Sequence, residues 1–308
     1  MFEKDLLKDR VILVTGGGTG LGRSMALRFA ELGAKPFLVA RREEPLRETA
    51  NEILAHGGSA GFATADVRDM AAVEKAVDAA EKELGRVDTL VNNAAGNFLA
   101  RTEKLSPNGF NAIVGIVLNG TFHCTLALGR RWIERKQPGT VLSIITTYAS
   151  SGAGSAYVVP SAAAKAGVLA LTRSLAVEWA RYRIRLNAIA PGPFPTEGAW
   201  SRLMTEAFEE QALARHPMHR YGRPEELADL AVYLISPQSE YVNGECVVID
   251  GGQWLRGAGQ FNDLVDLPDA AWDAMEAGRK ARAGDGDNRQ TDGGHRGLSG
   301  SCGRKAPG

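Results

Sequence analysis

Apolar positions along the first 255 residues alternate between two spacings. Short β-branched runs read as buried strands: "RVILVT" (10–15), "PFLVA" (36–40), "AGFATADV" (60–67), "VDTLVNNA" (87–94), "GTVLSIITT" (139–147), "IRLNAIAP" (184–191) and "GECVVIDGG" (244–252). Between them lie longer stretches with apolar residues at helical spacing. These predict helices from the first glycine turn to about residue 32, then to about 56, then over about 70–84, 107–135 and 160–181. Strands alternating with helices require parallel pairing through right-handed crossovers. The predicted fold is therefore α/β and doubly wound: a seven-stranded, mostly parallel sheet with helices on both faces. One domain is expected over residues 1–280. Within it, residues 192–222 break the alternation with a Pro- and Gly-flanked amphipathic stretch, the expected form of a substrate lid. From 281 to 308 the chain turns polar, Gly-rich and aperiodic, which predicts an unstructured tail.

Composition narrows the partners. Of 308 residues, 44% are hydrophobic and 23% charged, ordinary for a globular chain. Lys+Arg and Asp+Glu both number 36, so no basic excess points to nucleic acid or an anionic membrane surface. Recognition of anions must be local. Cys124, Cys246 and Cys302 are far apart with no metal-ligand spacing, so no metal is expected and a reduced cytoplasmic setting is. The first ten residues carry no signal-peptide core, and no apolar run looks long enough to span a bilayer.

The first strand runs into "TGGGTGLG". Gly16, Gly20 and Gly22 permit a tight turn and let backbone approach a pyrophosphate, while the following helix offers unpaired N–H groups to it. A Gly-rich turn alone is weak evidence. Set between a strand and a helix at the head of an alternating body, it predicts a Rossmann-type dinucleotide site. Contacts there are expected from Gly16, Gly18, Thr19, Gly20, Leu21 and Gly22. After the second strand, where an acid would hold ribose hydroxyls, stand Arg41 and Arg42. Guanidinium forks suit a ribose 2′-phosphate, so NADPH is the expected cofactor. Asp66, closing the third strand, is placed to accept from the adenine amine.

Taken together, TGGGTGLG, Asp66-Val67, "NNAAG" (92–96), Asn119 in "LNGT", Lys165 and Pro191-Gly192 resemble the short-chain dehydrogenase/reductase family over residues about 8–255. That family usually carries a Ser, then Tyr-x-x-x-Lys about thirteen residues later. Here the Tyr position holds Ser161, and thirteen residues earlier stands Tyr148. Tyr157 is a poor substitute, because Pro160 starts the helix after it. Even on a continuous helix it would lie about 12 Å along the axis from Lys165, instead of about 6 Å.

The exchange resembles one branch, the NADPH-dependent 2,4-dienoyl-CoA reductases of the mitochondrial-like type, through "NNAAGNF", "TEKLSPNGF", "SIITTYA", "VVPSAAAKAGV", "PGPFPTEGAWSRL" and "GQFNDL". The loop after Tyr148 is about two residues longer than that branch leads one to expect. The resemblance implies that Tyr148 and Asn97 donate to the thioester oxygen, and that Lys165, Ser161 and Asn119 hold a water or the cofactor ribose. It implies further cofactor contacts at Val67, Asn93, Lys165, Pro191, Gly192 and Phe194. Substrate contacts are implied at Arg68, Phe98, Ser106 and Arg202, with CoA phosphates needing the cations. Phe194, Trp200, Leu203, Met204 and Phe208 would wall an acyl chain or pack a small flap. Ser161 reads equally well as a residue capping a helix turn. A homotetramer and a cytoplasmic location are expected. A 3-oxoacyl-thioester reductase with Tyr148 as acid, and a silent NADPH-binding protein, remain open beside the dienoyl reading.

Overall fold

The computed structural model describes residues 2–150, 154–196 and 212–290. Met1–Arg256 forms one compact unit and the residues from Gly257 on a second. In the first, seven parallel strands form one sheet: β1 (Val11–Thr15), β2 (Lys35–Ala40), β3 (Gly61–Thr64), β4 (Val87–Asn92), β5 (Gly139–Ile144), β6 (Ile184–Pro191) and β7 (Cys246–Ile249), in the order β3-β2-β1-β4-β5-β6-β7. No antiparallel pairing occurs among the described strands, so the sheet is wholly parallel rather than mostly so. The order in which strands are added reverses between β1 and β4, and in open parallel sheets the crevice beyond the strand ends at such a point receives ligand.

Alternation along each strand sends side chains to two separate cores. Ile12, Val14, Leu38, Val91, Leu142 and Ile189 face α1 (Gly20–Glu31), α2 (Glu43–Ala55) and the helix Pro224–Ile235. Val11, Leu13, Phe37, Leu90, Val141 and Leu186 face α3 (Met70–Leu84), α5 (Gly120–Glu134) and α7 (Val159–Trp179). A strand buried on both faces needs apolar residues at every position, which is why these runs lack an alternating pattern.

Differences from expectation lie at strand ends. β3 stops at Thr64 because Asp66 turns the chain: its carboxylate accepts from the Arg68 N–H and its carbonyl from the Asp69 N–H. β5 stops at Ile144, so Tyr148 sits in a short helical turn, Thr147–Ser150 (α6), and not at a strand end. The long helical stretch is not one α-helix: α4 (Pro107–Val114) passes through a wide π turn, Gly115–Asn119, into α5. Spanning Pro107–Glu134, it is long and apolar enough to cross a membrane by length and composition, with mean hydropathy 1.6 over the most apolar window, contrary to the sequence expectation. Half of that window is buried in this fold against the sheet and its neighbours. Asparagines and glycines interrupt the run, which hid it from a search for unbroken apolar residues.

In the second unit a last helix runs Asp269–Gln290, so the expected unstructured tail begins as helix. Ala and Arg at 279–283 are good helix formers and carry it across Gly284 and Gly286. Trp200, Arg202, Leu203, Met204 and Phe208, expected on the substrate side, lie outside the described residues, as do residues 151–153 of the longer loop.

Candidate active site

The turn after β1 meets the loop after β4 through Thr15. Its Oγ1 accepts from the N–H groups of Asn93 and Ala94, each at 3.0 Å, and donates to Val91 O at 3.3 Å. The Asn93 side-chain amide returns to Thr15 O at 3.1 Å and Gly16 O at 3.3 Å. The glycine requirement is steric here. Gly16 has φ +67°, and a methyl group on Gly22 would stand 2.2 Å from Gly16 O. Only a bare backbone closes this turn onto the first residues of α1.

Beside it lies a cavity of about 300 Å³, lined by Gly16, Thr19, Arg41, Arg42, Asp66, Val67 and Asn93 among others. Helix-start N–H groups, two arginines and a carboxylate converge on one trough, a set that fits a dinucleotide. Arg41 and Arg42 are exposed and form no ion pair with a described residue. Asp66 is held below the usual carboxylate range by Arg68, whose Nε and Nη2 reach both its oxygens at 2.5–3.0 Å, with Arg41 adding a smaller effect. Arg68, expected at CoA, thus pairs with the cofactor-side acid. Pro191 ends β6 and Gly192 N–H donates to Ile249 O, at the same sheet edge. Phe194 is buried against Gly222 and belongs to a core cluster, so it packs the return of the excursion. Gly18 is pressed on Pro45 and Leu46 of α2, Gly20 lies beside Thr196, and Leu21 packs on the core.

The second cluster lies beyond β5. Ser161 and Lys165 are one helical turn apart on α7, both buried, at 3% and 8% exposure. Tyr148 OH and Ser161 Oγ are 3.0 Å apart in a hydrogen bond. Lys165 Nζ donates to Ile144 O at the end of β5. Burial lowers the Lys165 ammonium from its ordinary value to about 8. The exchanged residues of the sequence therefore do meet. Tyr157, by contrast, is 59% exposed and has a left-handed backbone, φ +65°.

Other expected residues are placed but not joined to this pair by any described hydrogen bond. Asn119 ends the π turn and is exposed; such wide turns are frequent at functional sites. Asn97 is exposed, and its Oδ1 accepts from Phe98 N–H at 2.9 Å, leaving the amide N–H pair available. Ser106 caps α4 by accepting from Gly109 N–H at 3.1 Å, and Phe98 lies beside the same glycine. Thr15 was missed by sequence reasoning, although its place directly before the glycine turn was a usable signal. The cavity-lining Ile116 was missed too, since only the π turn brings it there.

Fold and cavity define a dinucleotide-binding oxidoreductase scaffold. A family model described as Enoyl-(Acyl carrier protein) reductase matches residues 16–253. A Bacillus subtilis protein named "Probable 2,4-dienoyl-CoA reductase", (2E)-enoyl-CoA-producing, is 48% identical over 256 residues, covering 81% of this chain and 98% of the relative. A Caenorhabditis elegans protein named "Probable 2,4-dienoyl-CoA reductase 3", (3E)-enoyl-CoA-producing, is 46% identical over 285 residues, covering 90% and 92%. Among solved structures, a short chain dehydrogenase from Bacillus anthracis aligns with TM-score 0.74 at 42% identity, covering 82% of this chain and 99% of that one. A gluconate 5-dehydrogenase from Burkholderia cenocepacia, in complex with NADP and tartrate, aligns with TM-score 0.75 at 33% identity over 81% and 97%. The chain belongs to the short-chain dehydrogenase/reductase family. It is an oxidoreductase of that family, and the family's nicotinamide cofactor fits the glycine-lined cavity.

Proposed function

We propose that this protein reduces 2,4-dienoyl-CoA to 3-enoyl-CoA with NADPH. The observation that carries the reading is the 3.0 Å hydrogen bond between Tyr148 and Ser161, one turn from buried Lys165. It holds a phenol beside the helix that carries Lys165, on a scaffold lacking the usual Tyr-x-x-x-Lys, which supports Tyr148 as the donor. The relatives named as dienoyl-CoA reductases support the substrate, and NADP in a related structure supports the cofactor.

Held by the glycine turn, NADPH would supply a hydride to the far end of the conjugated diene. Negative charge then spreads to the thioester oxygen. Tyr148 O–H and the Asn97 amide donate to that oxygen, holding the dienolate until a proton arrives. Ser161 keeps the Tyr148 hydroxyl in place. A water ordered by Ser161, Lys165 and Asn119 gives its proton to the carbon next to the thioester, and the product is a 3-enoyl-CoA. Asp66 accepts from the adenine amine, Arg41 and Arg42 hold the 2′-phosphate, and Val67, Asn93, Pro191 and Gly192 complete the cofactor trough. Arg68, Phe98, Ser106 and Arg202 serve the CoA and thioester side. The protein acts in the cytoplasm as a homotetramer, in the oxidation of unsaturated acyl chains.

Steady-state turnover of a trans-2,trans-4-dienoyl-CoA and of a 3-oxoacyl-CoA, each with NADPH and with NADH, tests this reading. Turnover of the dienoyl substrate with NADPH preferred, and a 3-enoyl product by chromatography, is expected. A 2-enoyl product would redirect the protonation step, and reduction of the 3-oxo substrate alone would overturn the assignment.

A further inference from the structure

Asp66 has a shortage of free acceptor sites. A carboxylate offers about four lone-pair positions on its two oxygens. Arg68 occupies most of them with three N–H groups: its backbone N–H reaches Oδ1 at 3.0 Å, Nη2 reaches Oδ2 at 2.5 Å, and the one Nε hydrogen is shared between both oxygens at 3.0 Å each. Asp66 nevertheless lines the cofactor cavity, where the proposed function asks it to accept from the adenine amine. The adenine cannot use that carboxylate fully until Arg68 lets go of part of it.

Arg68 has somewhere to go. Its side chain is 46% exposed, and Nη1 has no described partner. A guanidinium pairs more strongly with a phosphate dianion, which also takes two parallel N–H bonds, than with an exposed carboxylate. CoA carries such phosphates. When Arg68 turns to one, the lone pairs of Asp66 return to the cofactor, and Arg41 remains beside the carboxylate to balance its charge.

We infer that Arg68 couples the two ligand sites: a phosphate of the acyl-CoA draws its guanidinium off Asp66, and the freed carboxylate then binds the adenine of NADPH more tightly. The sign is fixed by the competition, and it is positive. Thermodynamic linkage requires NADPH to tighten CoA by the same factor. Arg68 is here a positioning residue for Asp66 as well as a phosphate contact. The inference rests on the proposed cofactor and substrate.

Free CoA, which cannot turn over, is the probe. NADPH affinity is measured by nicotinamide fluorescence with and without CoA, the CoA being set at the same multiple of each variant's own dissociation constant. In the native protein CoA is expected to tighten NADPH about fivefold or more, the usual scale of such coupling. In Arg68→Gln the ratio falls to one. In Asp66→Asn NADPH binds more weakly and the ratio also falls to one. Native coupling that is absent or negative, or that survives Arg68→Gln, overturns the inference; negative coupling would mean that CoA competes for the cofactor cavity itself. An Asp66→Asn variant with native NADPH affinity would instead remove the adenine role beneath it. Both side chains are at the surface, so both variants are expected to fold.

Discussion

Lys165 is the most constrained ionisable group near the proposed reaction. Its ammonium is buried with Ile144 O as its described partner, and burial brings it to about 8. A lysine so depressed holds fewer protons in the folded state than in the unfolded one between about pH 8 and its ordinary 10.5. Its burial therefore costs most below pH 8, and the cost is relieved as pH rises through that window. Lys165→Met removes the charge and keeps most of the volume. The melting temperature of the cofactor-free variant, minus that of the native protein, should fall as pH rises from about 8 to 10.5; a difference independent of pH would contradict the charge burial. The Tyr/Ser exchange was legible through the family resemblance, which says what usually stands four residues before such a lysine and thirteen residues earlier. The bond between the exchanged residues was not, since it depends on the loop after β5 folding back as α6.

At the scale of elements, the inner strands β1, β2, β4, β5 and β6 were legible because a strand buried on both faces leaves an unbroken apolar run, while the partly exposed edge strands β3 and β7 were legible from their place in the strand–helix alternation. Their ends were not. Asp66, Asn93 and Gly251 leave the sheet through turns whose side-chain and backbone bonds the hydrophobic pattern does not encode. The π turn at Gly115–Asn119 was equally hidden, as apolar spacing barely changes across one wide turn. Helix α3 starts with a device that sequence does encode: Asp69 accepts from Ala71 N–H and Ala72 N–H at 2.9 and 3.3 Å. Asp69→Ala should cost about 1 kcal/mol by urea unfolding, with the same dienoyl turnover at saturating ligands. An equally stable variant would mean that water replaces the cap. Because α3 follows Asp66 and Arg68 directly, the cap also steadies the turn on which the cofactor acid is mounted.

Over the whole molecule, the all-parallel sheet with its order reversal at β1/β4 brings the glycine turn, Asn93 and Asp66 to one cavity, though they are spread over some fifty residues and more of chain. Apolar surface remains outside the core: Phe122 on α5, Val159 and Val177 on α7, and Val248 on the edge strand β7 are exposed. Covering such surface by further copies of the chain is favourable. Light scattering is therefore expected to give a tetramer that persists in high salt, since burial of apolar area is not screened. A monomer at micromolar concentration would contradict the proposed assembly. Of the expected substrate lid over residues 192–222, residues 197–211 lie outside the described residues, and the charge balance of the chain said only that its anion sites must be local.

The central claim is that the donor of this site has moved from α7 to α6 and stabilises a dienolate. Its most direct test is kcat for a 2,4-dienoyl-CoA, followed by loss of NADPH absorbance, in the native protein and in Tyr148→Phe. Removing one donor from an oxyanion site costs about a hundredfold to a thousandfold, with cofactor affinity unaltered. A loss of that size is the predicted result. Native turnover in the Phe variant would show that Tyr148 does not hold the developing charge.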